Sequence, residues 1–307
     1  MPRFTPIPSR LFVLWGACVL SANTQARVVR IVFEKIPAGQ TQTLGRTGSI
    51  PPSYEAWRGK AYGELDPNDP HNALIQDINL APHNSRGKVE YAATFTLLKL
   101  VETARSSHLL VYEVVNRGAS IVPRDYSQGD IFLQSGWQGD IPFGGKSAYG
   151  TEAETILVPT AHNADGTPVT GPVLARFADM RPGLNTLPIR VAIGYASSGP
   201  APLPASLDTK QAKLTMHSYE DTRGVIGGVQ EVPSTEWAWA DCIKTSFPGE
   251  PDPTKICVKS GFNPSLLYQL QYTGKDPLVL GVGLAALRDV ASFFRYAEHD
   301  ESGKANP

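Results

Sequence analysis

The stretch that most constrains the fold lies near the end of the chain, from Asp276 to Tyr296 (DPLVLGVGLAALRDVASFFRY). A short apolar run, Leu278 to Leu280, passes through Gly281 and Gly283 into a segment whose Leu284, Leu287, Val290, Ala291 and Phe294 recur every three or four positions. That spacing predicts a helix with one buried face. Arg288, Asp289, Ser292 and Arg295 fall mostly on the other side, so the helix is expected to lie on a sheet with one flank in water.

A chain of 307 residues, 41% of them hydrophobic, has material for such a sheet and for one large domain or two ordinary ones. The first 26 residues differ from the rest. Arg3 and Arg10 precede an apolar run from Leu11 to Ala22, the length of a signal-peptide core and too short to span a bilayer. Thr24 and Ala26 are small, as processing requires, so residues 1–26 read as a signal peptide cleaved near Ala26, and the mature protein as periplasmic or secreted. Cys18 invites a lipoprotein reading, but Trp15 stands where a lipobox wants leucine. No transmembrane segment is expected after processing. The leader carries off two arginines, leaving 26 basic against 29 acidic residues and no basic stripe, so nucleic acid is not an expected partner.

Processing also leaves two cysteines, Cys242 and Cys257, flanking a Pro- and Gly-rich stretch (FPGEPDP). In an exported chain these read as a disulfide. Two buried free thiols are the alternative; a zinc site has no further ligands nearby.

From Arg27 the mature chain opens with VVRIVFEKI, a strand by its β-branched content. A polar, Gly-rich passage follows. Its Asp66, Asp69 and His71 suggest either metal ligands or the turns that Asp-Pro sequences favour. KVEYAATFTLLK (88–99) reads as a second strand, and LLVYEVV (109–115), apolar but for one glutamate, as a strand covered on both faces. DIFLQS (130–135) is a shorter one. Between 145 and 240 short strands separated by Pro and Gly (TILVPTA, VLARF, LPIRVAIGYA, AKLTMHSY) predict antiparallel structure, a β-rich insertion or lid. NPSLLYQL (263–270), with Asn before Pro, predicts a helix start.

Chemistry is sparse. A nucleophile elbow, Gly-x-Ser-x-Gly, is absent; GYASSG at 194–199 comes nearest, but the Pro-rich continuation forbids the helix that should follow Ser197 or Ser198. Gly281-Val282-Gly283-Leu284-Ala285-Ala286 matches a loose dinucleotide pattern without the second strand and acid such a fold needs, and its glycines are read as letting the helix approach the sheet. The histidines are scattered, with His83, His108 and His162 in polar surroundings and His217 alternating with apolar neighbours. No metal and no cofactor is expected. Two loops stand out. Asn116-Arg117-Gly118 follows the 109–115 strand, where a glycine lets backbone N–H groups face a developing oxyanion. Trp137-Gln138-Gly139-Asp140 follows the next strand and offers an aromatic wall and a carboxylate. Each is equally well a structural turn, with Arg117 and Asp140 joined as an ion pair.

The blocks VYEVVNRG (111–118), SGWQGD (135–140), Asp241-Cys242 with Cys257, and DPLVLG (276–281) running into ALRD (286–289) occur in the order in which they resemble a family of large exported bacterial α/β-hydrolase domain proteins. The resemblance runs from about Arg27 to the end. It implies an α/β fold: an incomplete α/β-hydrolase-like core over 27–307 with a β-rich N-terminal part and a β-rich insertion. It also implies a serine-type hydrolase of esters or similar acyl bonds, acting on a small-molecule substrate. In that family the nucleophile turn, acid and histidine follow the helix, which places them beyond Pro307; no catalytic residue carries over, and the chain is expected to be inactive as given. What does carry over is the pair of loops at 116–118 and 137–140 and the disulfide. The competing expectation is a non-catalytic periplasmic β-rich module whose Trp57, Trp137, Trp237 and Trp239 form a saccharide or aromatic-ligand surface.

Overall fold

The β-branched opening forms β1 (Arg27–Lys35), which turns Val28 and Ile31 inward and pairs antiparallel with β2 (Tyr54–Leu65). The structure is a computed structural model that describes residues 27–37, 49–146, 152–178, 180–192 and 198–307. The expected signal peptide, Cys18 and Ser197 lie outside those residues. β3 (Val89–Leu100) continues the sheet on β2, with Ala61 opposite Ala93, small residues where two strands must both carry a helix. Its far edge takes β5 (Ile131–Ser135) and β6 (Ile156–Leu157), and β4 (Leu110–Val114) lies outermost, parallel to β5. The order is β1-β2-β3-β5-β4.

A second sheet is built on β20 (Leu267–Lys275), flanked on one side by β7 (Thr170–Phe177) and on the other by β11 (Leu203–Pro204) and β12 (Lys213–His217), with β15 (Gln230–Glu231) outside β12. β8 (Thr186–Pro188), β19 (Lys255–Val258) and β16 (Trp237–Ala238) make a smaller sheet beside it. Two-stranded ribbons complete it: β9 (Arg190–Ala192) with β10 (Ser198–Pro200), β13 (Tyr219–Glu220) with β14 (Ile226–Gly227), and β17 (Ala240–Asp241) with β18 (Glu250–Pro251). Leu214, Trp237, Trp239, Ile256, Leu270 and Tyr272 fill their common core. The 145–240 stretch thus supplies β6 to the first sheet and most of the second, which also needs β20 from beyond it. Cys242 and Cys257 are bonded, with Cα atoms 5.8 Å apart, in a small cluster of their own with Ala238, Ala240 and Phe247.

The α/β class implied by the resemblance is corrected by this architecture. Strands account for 39% of the described residues and helices for 12%, and one α-helix stands among them. An α/β core alternates strands with helices that cross back over the sheet. Here the links are loops with single 3-10 turns, such as Tyr126–Gln128 between β4 and β5, and all pairs but β4 with β5 are antiparallel.

Three local expectations are corrected with it. The 109–115 strand is not covered on both faces: β4 is a sheet edge, and Leu109, Val111 and Val114 are exposed. Residues 263–270 do not start a helix. Asn263 closes a turn by accepting from the Ser265 backbone, and the two-residue alternation of Tyr268, Leu270 and Tyr272 then decides for strand β20. The helix α1 (Val282–Tyr296) forms where expected but is rotated. It buries Val282, Ala285, Ala286, Asp289, Val290 and Phe293 against β1 to β4, while Leu284 is 61% exposed. After it, the Asn306 side-chain amide donates to the carbonyls of Phe293, Phe294 and Ala297, closing the helix end that has no intrahelical partners.

Candidate functional site

β4 and β5 run side by side in the same direction, so the loops after them leave the sheet at one edge. Both loops singled out in the sequence are found there. After β4 the chain reverses through Asn116-Arg117-Gly118-Ala119, with mutual backbone hydrogen bonds between Asn116 and Ala119 and positive φ at Arg117 (51°) and Gly118 (75°). Two successive left-handed residues define a tight primed turn. The glutamate that interrupts the apolar run explains how the turn is held: Glu113 accepts from the backbone of Ile121 and Val122 and from Ser120 Oγ, and pairs with Arg124 at 3.4 Å.

After β5, Gly136 lies so close to Thr155 that no side chain fits there. Trp137 donates its indole N–H to the Val115 carbonyl at 2.7 Å, binding the second loop to the first. Gln138 Oε1 accepts from the Arg117 backbone N–H at 2.6 Å, so that N–H is committed within the protein. Asp140 receives Arg117 Nη1 on both oxygens, at 2.9 and 2.7 Å, and the pair is largely shielded from water. The loops are therefore structural turns joined by an ion pair, and they also form the wall of a cleft.

The cleft holds 840 Å³. Arg117, Trp137, Gln138, Gly139 and Asp140 form one side; Asn116 and Gly118 do not reach it, Gly118 being packed on Ala153. The opposite side comes from Pro172 to Leu174 of β7 and Ala201 to Leu203 around β11, and the floor from Lys275 to Leu278, Leu280, Gly281 and Leu284. Leu174, Leu203, Leu278, Leu280 and Leu284 are each at least 40% exposed, a concentration of apolar side chains on the surface around one opening. Sequence reasoning missed these residues as site components. The DPLVLGVGL stretch was legible as an apolar run leading into a helix, and its leucines carried no mark of a binding wall.

Charge in the cleft is balanced, Arg117 and Lys275 against Asp140 and Asp276. Arg117 Nε is buried and has no hydrogen-bond partner. Asp276, like Arg117, has positive φ (56°), so two of the four non-glycine residues with left-handed backbone among those described line this cleft. Such conformations cost of order 1 kcal/mol each and collect at ligand sites. Among the described lining residues there is no serine, threonine, cysteine or histidine.

Elsewhere, Asp66 accepts from Lys88 and the Asn68 backbone, and Asp69 from the backbone and ring of His71, which makes both turn caps. His83, His108 and His162 are exposed, while His217 is buried with Nε2 at 2.8 Å from Thr215 Oγ1. The four-tryptophan surface is corrected: Trp237 and Trp239 are 2% and 3% exposed, stacked edge-on in the second core. No helix among the described residues is long and apolar enough to cross a membrane. The chain matches no protein-family model, no curated protein and no solved structure.

Proposed function

We propose that the cleft binds the acyl part of a small ester-like molecule, and that the chain is the binding portion of an exported serine-type acyl hydrolase whose nucleophile is carried on a further polypeptide segment. The observation that carries this reading is the cleft itself. An apolar hollow within the 300–1,000 Å³ range usual for small-molecule sites, with a few converging polar groups, opens beyond the carboxyl ends of two parallel strands. The block-by-block resemblance supports acyl chemistry. The leader and the disulfide support export. β4 supports the further segment: it has a partner on one side only and exposes Leu109, Val111 and Val114, an edge suited to another strand.

The purified chain should bind p-nitrophenyl butyrate saturably without turning it over, and a fluorophosphonate should label no serine. Absence of binding, or binding indifferent to Leu284→Glu, would remove the cleft from the reading. A labelled serine would remove the separate nucleophile.

The lack of hydroxyl, thiol and imidazole groups among the described lining residues favours a second reading, a β-rich binding module that performs no chemistry. Sequencing the gene beyond codon 307 separates the two: an in-frame Gly-x-Ser-x-Ser-Gly followed by an acid and a histidine supports the hydrolase, and an immediate stop supports the module.

A further inference from the structure

The cleft has features that narrow its ligand beyond an acyl compound in general. The described residues have five buried side-chain nitrogen or oxygen atoms without a hydrogen-bond partner, on Arg117, Tyr126, His217, Glu220 and Trp239, and of these residues only Arg117 lines the cleft. A buried donor left unpaired costs free energy comparable to a lost hydrogen bond; Nε itself is closed to water in the free chain, so a ligand acceptor toward which the partly exposed guanidinium turns this N–H is favoured. The same guanidinium already holds Asp140 on Nη1. Its charge is balanced, and a second carboxylate brought against it would meet Asp140 at short range. A neutral carbonyl oxygen meets no such opposition.

The walls select in the same direction. They are made of flexible aliphatic side chains, with Leu174, Leu203, Leu280 and Leu284 around the opening. The single aromatic residue among the described lining residues, Trp137, has its indole N–H committed to Val115. Recognition of aromatic rings uses aromatic faces in pairs, which the described lining lacks, and of the hydrogen-bonding side chains that do line the cleft Gln138, Arg117 and Asp140 are engaged with one another. An alkyl chain covers the exposed leucines and gains from their removal from water.

Resting on the cleft's assignment as the ligand site, we propose that it selects neutral straight-chain aliphatic esters over the corresponding free acids, through an ester carbonyl on Arg117 Nε and an alkyl chain among the leucines.

The test is calorimetric titration of the full chain with methyl octanoate, sodium octanoate and methyl benzoate. Methyl octanoate is expected to bind about tenfold or more tighter than octanoate, the discrimination that one hydrogen bond and one uncompensated charge provide, and tighter than methyl benzoate. Arg117→Lys is expected to lower ester affinity about tenfold and to erase the preference over octanoate. The ratio measured on the unaltered chain decides the matter even if that variant folds poorly. Octanoate binding as tightly as its ester would overturn the inference and assign the head group to Lys275; methyl benzoate binding as tightly would overturn the aliphatic part. Either result leaves the cleft standing as the site. If none of the three binds, or if Leu284→Glu leaves binding unchanged, the cleft assignment fails and the inference fails with it.

Discussion

Gly283 sits against the backbone of Trp137 so closely that a Cβ placed on it would lie 1.7 Å from the Trp137 carbonyl oxygen. The first turn of α1 and the loop after β5 therefore share one contact, with the cleft beside it: Trp137 is on one wall and Leu284, the next residue of the helix, on another. The same contact explains the rotation of α1. With Gly283 held on the loop and Val282, Ala285 and Ala286 on the sheet, Leu284 has no direction left except toward the opening.

Gly283→Ala must therefore shift either the helix or the Trp137 loop, and overpacking of this kind costs about 1–3 kcal/mol. Gly281→Ala meets the Ile75 side chain first, at 3.1 Å, where it can give way, and the Ile75 Cα only at the ordinary contact distance of 3.5 Å. Urea denaturation is expected to show a clear loss for the first variant and a change under about 1 kcal/mol for the second. Equal midpoints for the two would disprove the contact.

The disulfide closes a loop of 15 residues, and Cys257 pairs with Ala238 of β16, the strand that brings Trp237 to the second core. Restriction of the unfolded chain by a loop of that length contributes about 3 kcal/mol. Replacing both cysteines with alanine is expected to lower stability by roughly that amount, with the change visible in tryptophan fluorescence. An unaltered denaturation midpoint would show that the bond adds nothing to the second core.

Elements whose evidence is local were legible in the sequence. β1 follows from its β-branched run, β3 from imperfect alternation, β5 from a short apolar stretch and α1 from its three-to-four spacing, because each pattern is complete within a dozen or so residues. Faces and partners were not. LLVYEVV reads as a buried strand, yet where it falls in the sheet order leaves it on an edge, a fact that no residue within it encodes. Asp289 was expected in water because it falls opposite the three-to-four apolar stripe, and the helix rotation put it at 0% exposure. The site was half legible. The Arg117 and Asp140 loops carry Gly, Trp and charge in a compact pattern, whereas the leucines opposite come from segments far apart in the chain and resemble any other apolar strand residues.

The Arg117 and Asp140 pair is shielded enough that its halves are unequal to its whole. Asp140→Leu leaves a guanidinium, already short of a partner at Nε, without its counter-charge, and is expected to cost about 2–4 kcal/mol. Replacing both together, Arg117→Met with Asp140→Leu, removes the desolvation cost along with the attraction and is expected to cost less than the single change. A double-mutant cycle by chemical denaturation measures this directly. Additive losses would mean that the two side chains do not interact.

Asp289 links stability to pH. Burial raises its carboxyl from an ordinary 3.8 to about 6, a rise that Arg288 Nε at 3.0 Å and the Tyr91 hydroxyl at 3.0 Å only partly oppose. The folded protein therefore holds this proton more tightly than the unfolded chain between pH 4 and 6, and the stabilisation it brings is complete below about pH 4 and lost as pH rises through 6. The whole span is worth at most about 3 kcal/mol. Asp300, whose carboxylate accepts the Ile31 N–H at 2.8 Å and is held below its usual range despite its burial, acts in the opposite sense, so the wild-type profile alone mixes the two. Asp289→Asn isolates the first, because the amide stands in for the protonated acid and does not titrate. Relative to the wild type, the variant is expected to gain stability steadily from pH 4 to pH 6 and to hold a constant lead above that. A stability difference independent of pH across the window would show that Asp289 ionises as freely in the folded chain as in the unfolded one.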